Sequence, residues 1–480
     1  MSPKNSNFFR KILFVIKKKN FLELINIFNI FDKKLLFILS LLILANCSSE
    51  KKYDKTKAVP AVDYVSDIKI DESLKNISIQ LPKAQINQNW LGSSSKTNQQ
   101  IENISKDFSY QESGGYFNKR NEINLRRTWY KNIFYYEDFA KSFVYSPIIL
   151  NQKIFNIDSS GDVSAFDLKS KKLLWHKRIF EKLWLKNYKV AHLGACDDKL
   201  FAVAGVNQVK AINQNDGELL WQKDLSVIFN STPICDGEAV YISSSDNKTF
   251  ALNAKSGEIK WIHYGISKAL AIFGSAQPLV YNDFLIASYS SGEIYAINKK
   301  TGESLWTQDL NSNKAYNSDF FLNDIDATPL VKNDVVYAIG NGGLMKAISL
   351  KTGEDIWKKS IASVVDFWLA GDFLYVINSD NKLLAVSKKT GGIKWIVQLP
   401  DFKNPKKIAT KFNYIGIIMA GDKLIASRED GELFIISPFD GKIENTFSLN
   451  KKVLHVPIII ENKMYFYGMN RYKTKLIELE

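Results

Sequence analysis

The sequence predicts an all-β fold, an eight-bladed propeller of four-stranded antiparallel blades closed by N- and C-terminal strands, with a seven-bladed ring as the alternative. Three observations carry this. A unit ending in a large aromatic residue recurs at Trp175, Trp221, Trp261, Trp306, Trp357, Trp395 and Phe447, at intervals of 46, 40, 45, 51, 38 and 52 residues. A mean period near 45 suits four short strands with their turns and excludes 34-residue helical repeats. Between the aromatics, short runs of Val, Ile, Tyr and Phe are bounded by Asp, Asn, Ser and Gly, as strands and tight turns require.

Taken from the amino terminus, residues 1–46 read as an export leader. Lys33 and Lys34 precede the apolar run Leu35 to Leu44, shorter than the ~20 residues a membrane span needs and suited to a signal peptide. The ending Leu44-Ala45-Asn46-Cys47 resembles the lipobox of bacterial lipoproteins, which implies acylation of Cys47. Asn46 is bulkier than the usual Gly, Ala or Ser, so an uncleaved anchor or a plain signal peptide is the alternative. Lys17 to Lys19 and a second apolar stretch around Phe21 to Phe31 make the leader long. Either the true start lies beyond Met1 or the basic n-region is extended.

Residues 47–121 are polar, rich in Lys, Ser, Asn and Gln, with Ser93 to Gln100 and Gly114-Gly115 as its most linker-like parts. This composition predicts a flexible tether between the anchor and a body at 122–480. Apolar islands such as Ile77 to Leu81 leave room for a turn of helix or a strand that docks on the body.

In the body, one copy of the unit reads Ser231-Thr232-Pro233-Ile234, Asp236-Gly237, Ala239-Val240-Tyr241-Ile242, Asp246-Asn247, Phe250-Ala251-Leu252-Asn253 and Ser256-Gly257-Glu258-Ile259-Lys260-Trp261. A small Ala at 165, 211, 251, 296, 347 and 385 precedes Asp167, Asn213, Asn253, Asn298, Ser349 and Ser387 by two residues. The small side chain permits close approach of neighbours, and the polar one can bond its own backbone to start a turn. The Gly that follows suits a positive φ. Each Trp would then wedge between adjacent blades, burying roughly 150–250 Å². The last copy, Gly441 to Phe447, is read as the same unit with Phe in place of Trp. After it only a partial unit remains, at Pro457 to Ile460, Met464 to Tyr467 and Leu476 to Leu479. A strand around Asn124 to Tyr130 could complete that sheet, and closure would protect the edges an open stack exposes.

The net charge of the 480-residue chain is +14, and eight Lys/Arg against two Asp/Glu place +6 of it in the leader. The remaining +8 is spread without a block, and neither a basic helix nor an aromatic-basic platform for nucleic acid appears. Cys196 and Cys235 are expected as buried free thiols, since an oxidising compartment permits a disulfide without requiring it. His176, His192, His263 and His455 are scattered and give no metal-ligand spacing.

The Ala-x-Asp/Asn and Gly-Glu-x-x-Trp elements resemble the pyrroloquinoline-quinone-type propeller repeat. Together with the lipobox they make the chain similar to the non-enzymatic propeller lipoproteins of the Bam machinery, which assembles outer-membrane β-barrels. That resemblance implies a scaffold without cofactor, on the periplasmic face of the outer membrane. Its implied partners are the POTRA domains of the barrel-insertion protein, other Bam components and unfolded β-barrel clients, with no nucleic acid. Ser48 after Cys47 is compatible with transfer to the outer membrane. The segment Asn323-Asp324-Ile325-Asp326-Ala327-Thr328-Pro329 resembles the family's partner-binding segment, which implies that role for Asp324 and Asp326. Leu270 and Ile272 keep the apolar character of a second contact loop, whereas Phe273 stands where the family has arginine. On the residues alone, Asp324 and Asp326 read as turn residues and Leu270 and Ile272 as inner-strand core.

Two other function classes compete. A carbohydrate- or cell-wall-binding propeller would use Trp184, Trp368 and Tyr289 as stacking platforms. A quinoprotein oxidoreductase needs a calcium-bound quinone beneath a catalytic aspartate. Here the aspartates fall at turn positions, as at Asp236, Asp283, Asp334, Asp372 and Asp422, and the vicinal cysteine pair of that family is absent.

Overall fold

The computed structural model describes residues 68–91, 101–113, 120–124, 127–132, 146–158, 161–180, 191–204, 206–266, 276–311, 324–402, 411–470 and 473–479. Eight antiparallel sheets form the blades. Blade 1 comprises Ile148–Leu150, Lys153–Ile157, Asp162–Asp167 and Leu173–Arg178, each strand pairing with the next. Blades 2 to 7 repeat this order over residues 191–228, 234–264, 279–309, 330–359, 368–398 and 414–448. Blade 8 is built from both ends of the body. Its first strand is broken into Lys452–Val453 and Ile458–Ile460, followed by Lys463–Asn470 and Lys473–Leu479, and its outer strand is Arg127–Asn132. Seven whole blades and one shared blade therefore close the ring, as the partial unit at the end of the repeats led one to expect. Ser109–Ser113 and Arg120–Asn124 add a separate two-stranded ribbon.

The burial pattern follows from position in the blade. Inner strands such as Phe373–Ile377 are buried along their whole length, whereas outer strands such as Leu173–Arg178 bury little besides the Trp. First strands touch between blades 1 and 2, 2 and 3, 3 and 4, and 6 and 7, which sets them around the axis.

The repeat has one register. Ala165, Ala211, Ala251, Ala296, Ala347 and Ala385 lie directly opposite Trp175, Trp221, Trp261, Trp306, Trp357 and Trp395, and a β-bulge follows each pair. The same alanines face Phe155, Phe201, Tyr241, Ile286, Tyr337 and Tyr375 on the second strand. The small residue thus acts within the sheet as well as between sheets, because rings on either side meet over it at centroid distances of 5.8 Å for Tyr241–Trp261 and 6.0 Å for Tyr375–Trp395.

Three expectations are corrected. The Cys196 and Cys235 thiols are joined as a disulfide with Cα atoms 5.7 Å apart, because they end the adjacent first strands of blades 2 and 3. Asn445, not Phe447, stands opposite Ile435 at the place of the Trp, and Phe447 lies two residues further along. The reason is topological: the third and fourth strands of blade 8 are not joined by a hairpin, so no turn is present there to seat an indole. A half-open cavity of about 410 Å³ lined by Phe447, Leu449, Ile477 and Leu479 occupies this seam.

The third concerns the expected tether. Residues 68–91 and 101–108 pack on the propeller. Trp90 pairs with Ile149 of blade 1 through hydrogen bonds of 2.6 and 2.8 Å, and Ile104 is bonded to Met419 and Gly421 of blade 7 at 3.1 and 2.9 Å. Trp90, Ile104, Ile79 and Leu74 are buried, more apolar surface than a solvated tether would hide.

Candidate functional site

The seams between blades decide how rigidly anything on the propeller is held. In six of them the indole N–H donates to a carbonyl of the next blade: Trp175 to Gln214 (3.1 Å), Trp221 to Ala254 (3.1 Å), Trp261 to Lys299 (3.0 Å), Trp306 to Leu350 (2.7 Å), Trp357 to Lys388 (2.9 Å) and Trp395 to Pro438 (3.1 Å). Each acceptor immediately follows the Asn or Ser that opens the turn. Asn253 and Asn298 also bond their own turn amides, as the sequence pattern implies. The indole lies against the turn Gly that follows. At Gly302, with φ +80°, an added Cβ would sit 2.7 Å from the Trp261 ring.

Polar contacts near the axis join consecutive blades. His192 Nδ1 meets Thr232 Oγ1 at 3.2 Å, and Thr328 N donates to Asp366 Oδ1 at 2.7 Å. The Asp324–Asp326 segment belongs to this girdle. Asn341 N donates to the Asp324 carbonyl at 3.0 Å, Ala276 N to that of Ile325 at 3.4 Å, and Ile325 is buried. Asp324 itself is only 1% exposed, so its carboxylate does not lie on an open face. Asp326 is partly exposed, and its buried Oδ1 has no hydrogen-bond partner among the described residues. Burial first, and the neighbouring Asp324 carboxylate second, push its pKa up to about 7.

Leu270, Ile272 and Phe273, Cys47 and Trp184 lie outside the described residues. Trp368 and Tyr289 are buried; Trp368 Nε1 donates to the Glu102 carbonyl at 2.7 Å and Tyr289 Oη bonds Thr249 and His263. Neither ring is a free stacking surface for sugar. Among the described residues no group of three or more His, Cys, Asp or Glu side chains is placed to hold a metal.

Sequence reasoning missed two features. The backbone register sets Trp129 opposite Glu478, after a bulge, where blades 1 to 6 pair Trp with Ala. The signal was present: Trp129 precedes Trp175 by 46 residues, one repeat. The second is the strap of residues 68–91 and 101–108. Glu102 Oε2 accepts from Gly371 N of blade 6 at 2.8 Å while Oε1 pairs with Lys332 of blade 5 at 2.7 Å. Asn103 bonds Asp422 of blade 7 at 2.6 Å, Asn87 bonds the Ile459 carbonyl of blade 8 at 3.0 Å, and Trp90 reaches blade 1. The strap therefore crosses the closing seam.

Comparison with known proteins gives a consistent picture. The family described as outer membrane protein assembly factor BamB matches residues 159–397. Outer membrane protein assembly factor BamB of Yersinia pestis is 26% identical over 324 residues, covering 66% of this chain and 80% of that protein. The crystal structure of BamB from Moraxella catarrhalis superposes with a TM-score of 0.62 at 17% identity, over 74% of this chain and all of that one. A quinohemoprotein alcohol dehydrogenase from Comamonas testosteroni superposes with a TM-score of 0.59 at 10% identity, over 86% and 83% of the two chains. Assembly factor and dehydrogenase share the fold, so the fold alone does not choose between them.

Proposed function

Since this chain belongs to the BamB family of outer membrane protein assembly factors, we propose that it is a scaffold lipoprotein of the machinery that assembles β-barrels in the outer membrane. It is a holder of other proteins and not an enzyme. The observation that carries the reading is the family match across the blades, borne on a ring whose seams repeat one indole-to-carbonyl contact. Such a ring holds its loops in fixed relative positions, which is what a positional role requires.

In this reading residues 1–46 are removed as a leader, Cys47 is acylated, and the propeller stands on the periplasmic side of the outer membrane. The Cys196–Cys235 disulfide supports an oxidising compartment. The partner surface comprises the Asp324–Asp326 segment together with Leu270, Ile272 and Phe273. It receives the POTRA domains of the barrel-insertion protein, and unfolded barrel clients pass nearby. Asp326 makes the contact, and buried Asp324 acts through it by raising its proton affinity.

Asp326→Arg tests the assignment. Capture of the insertion protein by the variant should fall about ten-fold while its melting curve stays that of a folded protein. Equal capture by both forms removes Asp326 from the surface.

A further inference from the structure

The outer strand of every blade ends a sheet, and one of these edges is already occupied. Asp71 N donates to the Ile393 carbonyl of blade 6 at 2.7 Å, and Lys394 Nζ donates to the carbonyls of Leu74 and Lys75 at 2.9 and 3.4 Å. Leu74 is buried there, and Asp71 also feels the charge of Lys359. Gly392 makes room, since a Cβ on it would lie 2.3 Å from Asp71 Oδ2 and 3.1 Å from Leu74 Cδ1. Ile393 is 6% exposed as a result, whereas its counterparts Leu173 and Leu219 are 43% and 52% exposed.

The residue at the place of Gly392 separates the blades. Blades 2 to 5 carry Glu218, Glu258, Glu303 and Glu354, which would repel an acidic segment. Blade 7 has Lys442, but beside half-buried Ile443. Blade 1 has Lys172 next to Leu173 and Leu174, the latter 46% exposed, with Lys169 also in solvent. Leu219 and Leu220 stand close by on blade 2, because Trp175 lies against Gly217 and Lys177 pairs with Glu218 at 2.5 Å across the seam.

We propose that this edge of blade 1 is a docking site for a short acidic, leucine-bearing segment of another protein, seated as Asp71–Leu74 is seated on blade 6. The Leu173 carbonyl takes the place of the Ile393 carbonyl, Lys172 meets the acidic side chains, and Leu173, Leu174 and Leu220 cover the partner's leucine. The site lies on blades 1 and 2, away from the Asp324–Asp326 segment, and its existence is independent of the function proposed above.

A fluorescent peptide with the sequence of residues 68–79, titrated against the full chain, tests it. Saturable one-site binding is expected. Lys172→Glu combined with Leu174→Glu, or Leu220→Glu as a second exposed variant, should weaken it about ten-fold, and so should replacing both acids of the peptide by lysine. Binding should survive Ile393→Glu. No saturation, indifference to the blade 1 changes, or loss with Ile393→Glu alone, which signals exchange with the chain's own segment, overturns the proposal.

Discussion

Trp261 Nε1 donates to the carbonyl oxygen of Lys299 at 3.0 Å, and Tyr241 Oη shares its one hydrogen between that oxygen at 3.3 Å and the Asp236 carboxylate at 3.1 Å. One carbonyl of blade 4 thus receives two aromatic donors from blade 3. Lys388 and Pro438 play the same part for the Tyr337/Trp357 and Tyr375/Trp395 pairs. The contact joins the apolar burial of an indole to a directed bond, so it fixes the angle between blades as well as holding them together.

Gly302→Ala should cost about 2–3 kcal/mol. It combines a Cβ at a positive φ with contact against the Trp261 ring at 2.7 Å. Trp261→Phe, which loses the bond and some area, should cost about 1–2 kcal/mol. Denaturant midpoints compared with an exposed control such as Lys260→Ala check both. A neutral Gly302→Ala contradicts the seam argument.

The strap should behave as a clamp on the closing blade. Trp90→Ala removes a fully buried ring and should destabilise by about 3–5 kcal/mol. Gly421→Ala would drive a Cβ to 2.1 Å from the Lys106 carbonyl and should release the strap locally. Faster amide hydrogen exchange at residues 101–108 and in blade 8 is the expected signature. Unchanged exchange there means that the strap does not secure the seam.

Reducing the Cys196–Cys235 bond, or replacing both residues by serine, should lower stability by about 2–4 kcal/mol. Reductant should lower the denaturant midpoint of the wild type to that of the double variant, whose own midpoint should not respond to reductant.

Acid should weaken the fold through its buried histidines. His455 is satisfied as the neutral ring, with Nδ1 donating to Val456 O at 2.6 Å and Nε2 accepting from Tyr467 N at 3.1 Å, and burial pushes its pKa down to about 4. Burial lowers His192 to about 3. An unfolded histidine titrates near 6.5, so the unfolded chain gains protons first as pH falls. The stabilisation is full above that value and is lost progressively toward pH 4, by up to about 3 kcal/mol per group. Asp326 has the opposite sign. Its pKa is raised to about 7, so its favourable contribution is present below the ordinary carboxylate range and disappears as pH rises through 7. Asp326→Asn should therefore stabilise the protein at pH 8, by roughly 1 kcal/mol after allowance for its partial exposure. Melting temperatures of wild type and both single variants, His455→Gln and Asp326→Asn, at pH 4.5, 7 and 8 separate these contributions.

How much of this was legible depended on range along the chain. Ala251, Asn253, Gly257 and Trp261 lie within one hairpin, and local turn chemistry makes their pattern visible. The seam that Trp261 forms with Lys299 repeats often enough to be inferred. Phe447 misled because only ring closure explains the missing indole: blade 8 takes its outer strand from Arg127–Asn132 and so has no turn at that place. Trp129 went unread, although its spacing was right, because no full repeat surrounds it. The strap was hidden in a polar composition. Its anchors, Asn103 with Asp422 and Asn87 with Ile459, are more than 300 residues apart in sequence. Gly371, Gly392 and Gly421 are its trace on the blades, since blades 4 and 5 carry Asn282 and Asn333 where Gly371 and Gly421 stand. Asp324 was read as a partner contact from a resembling segment, and burial of that residue is a tertiary fact that no local pattern encodes.

The scaffold role is tested most directly by placing a photo-crosslinking residue at position 326 in the full-length chain and illuminating intact cells. The account predicts a single dominant product containing the barrel-insertion protein, lost when Cys47→Ala leaves the chain unanchored. A product with another class of partner, or the same insertion-protein product from a control position on the far outer edge such as 305, contradicts it.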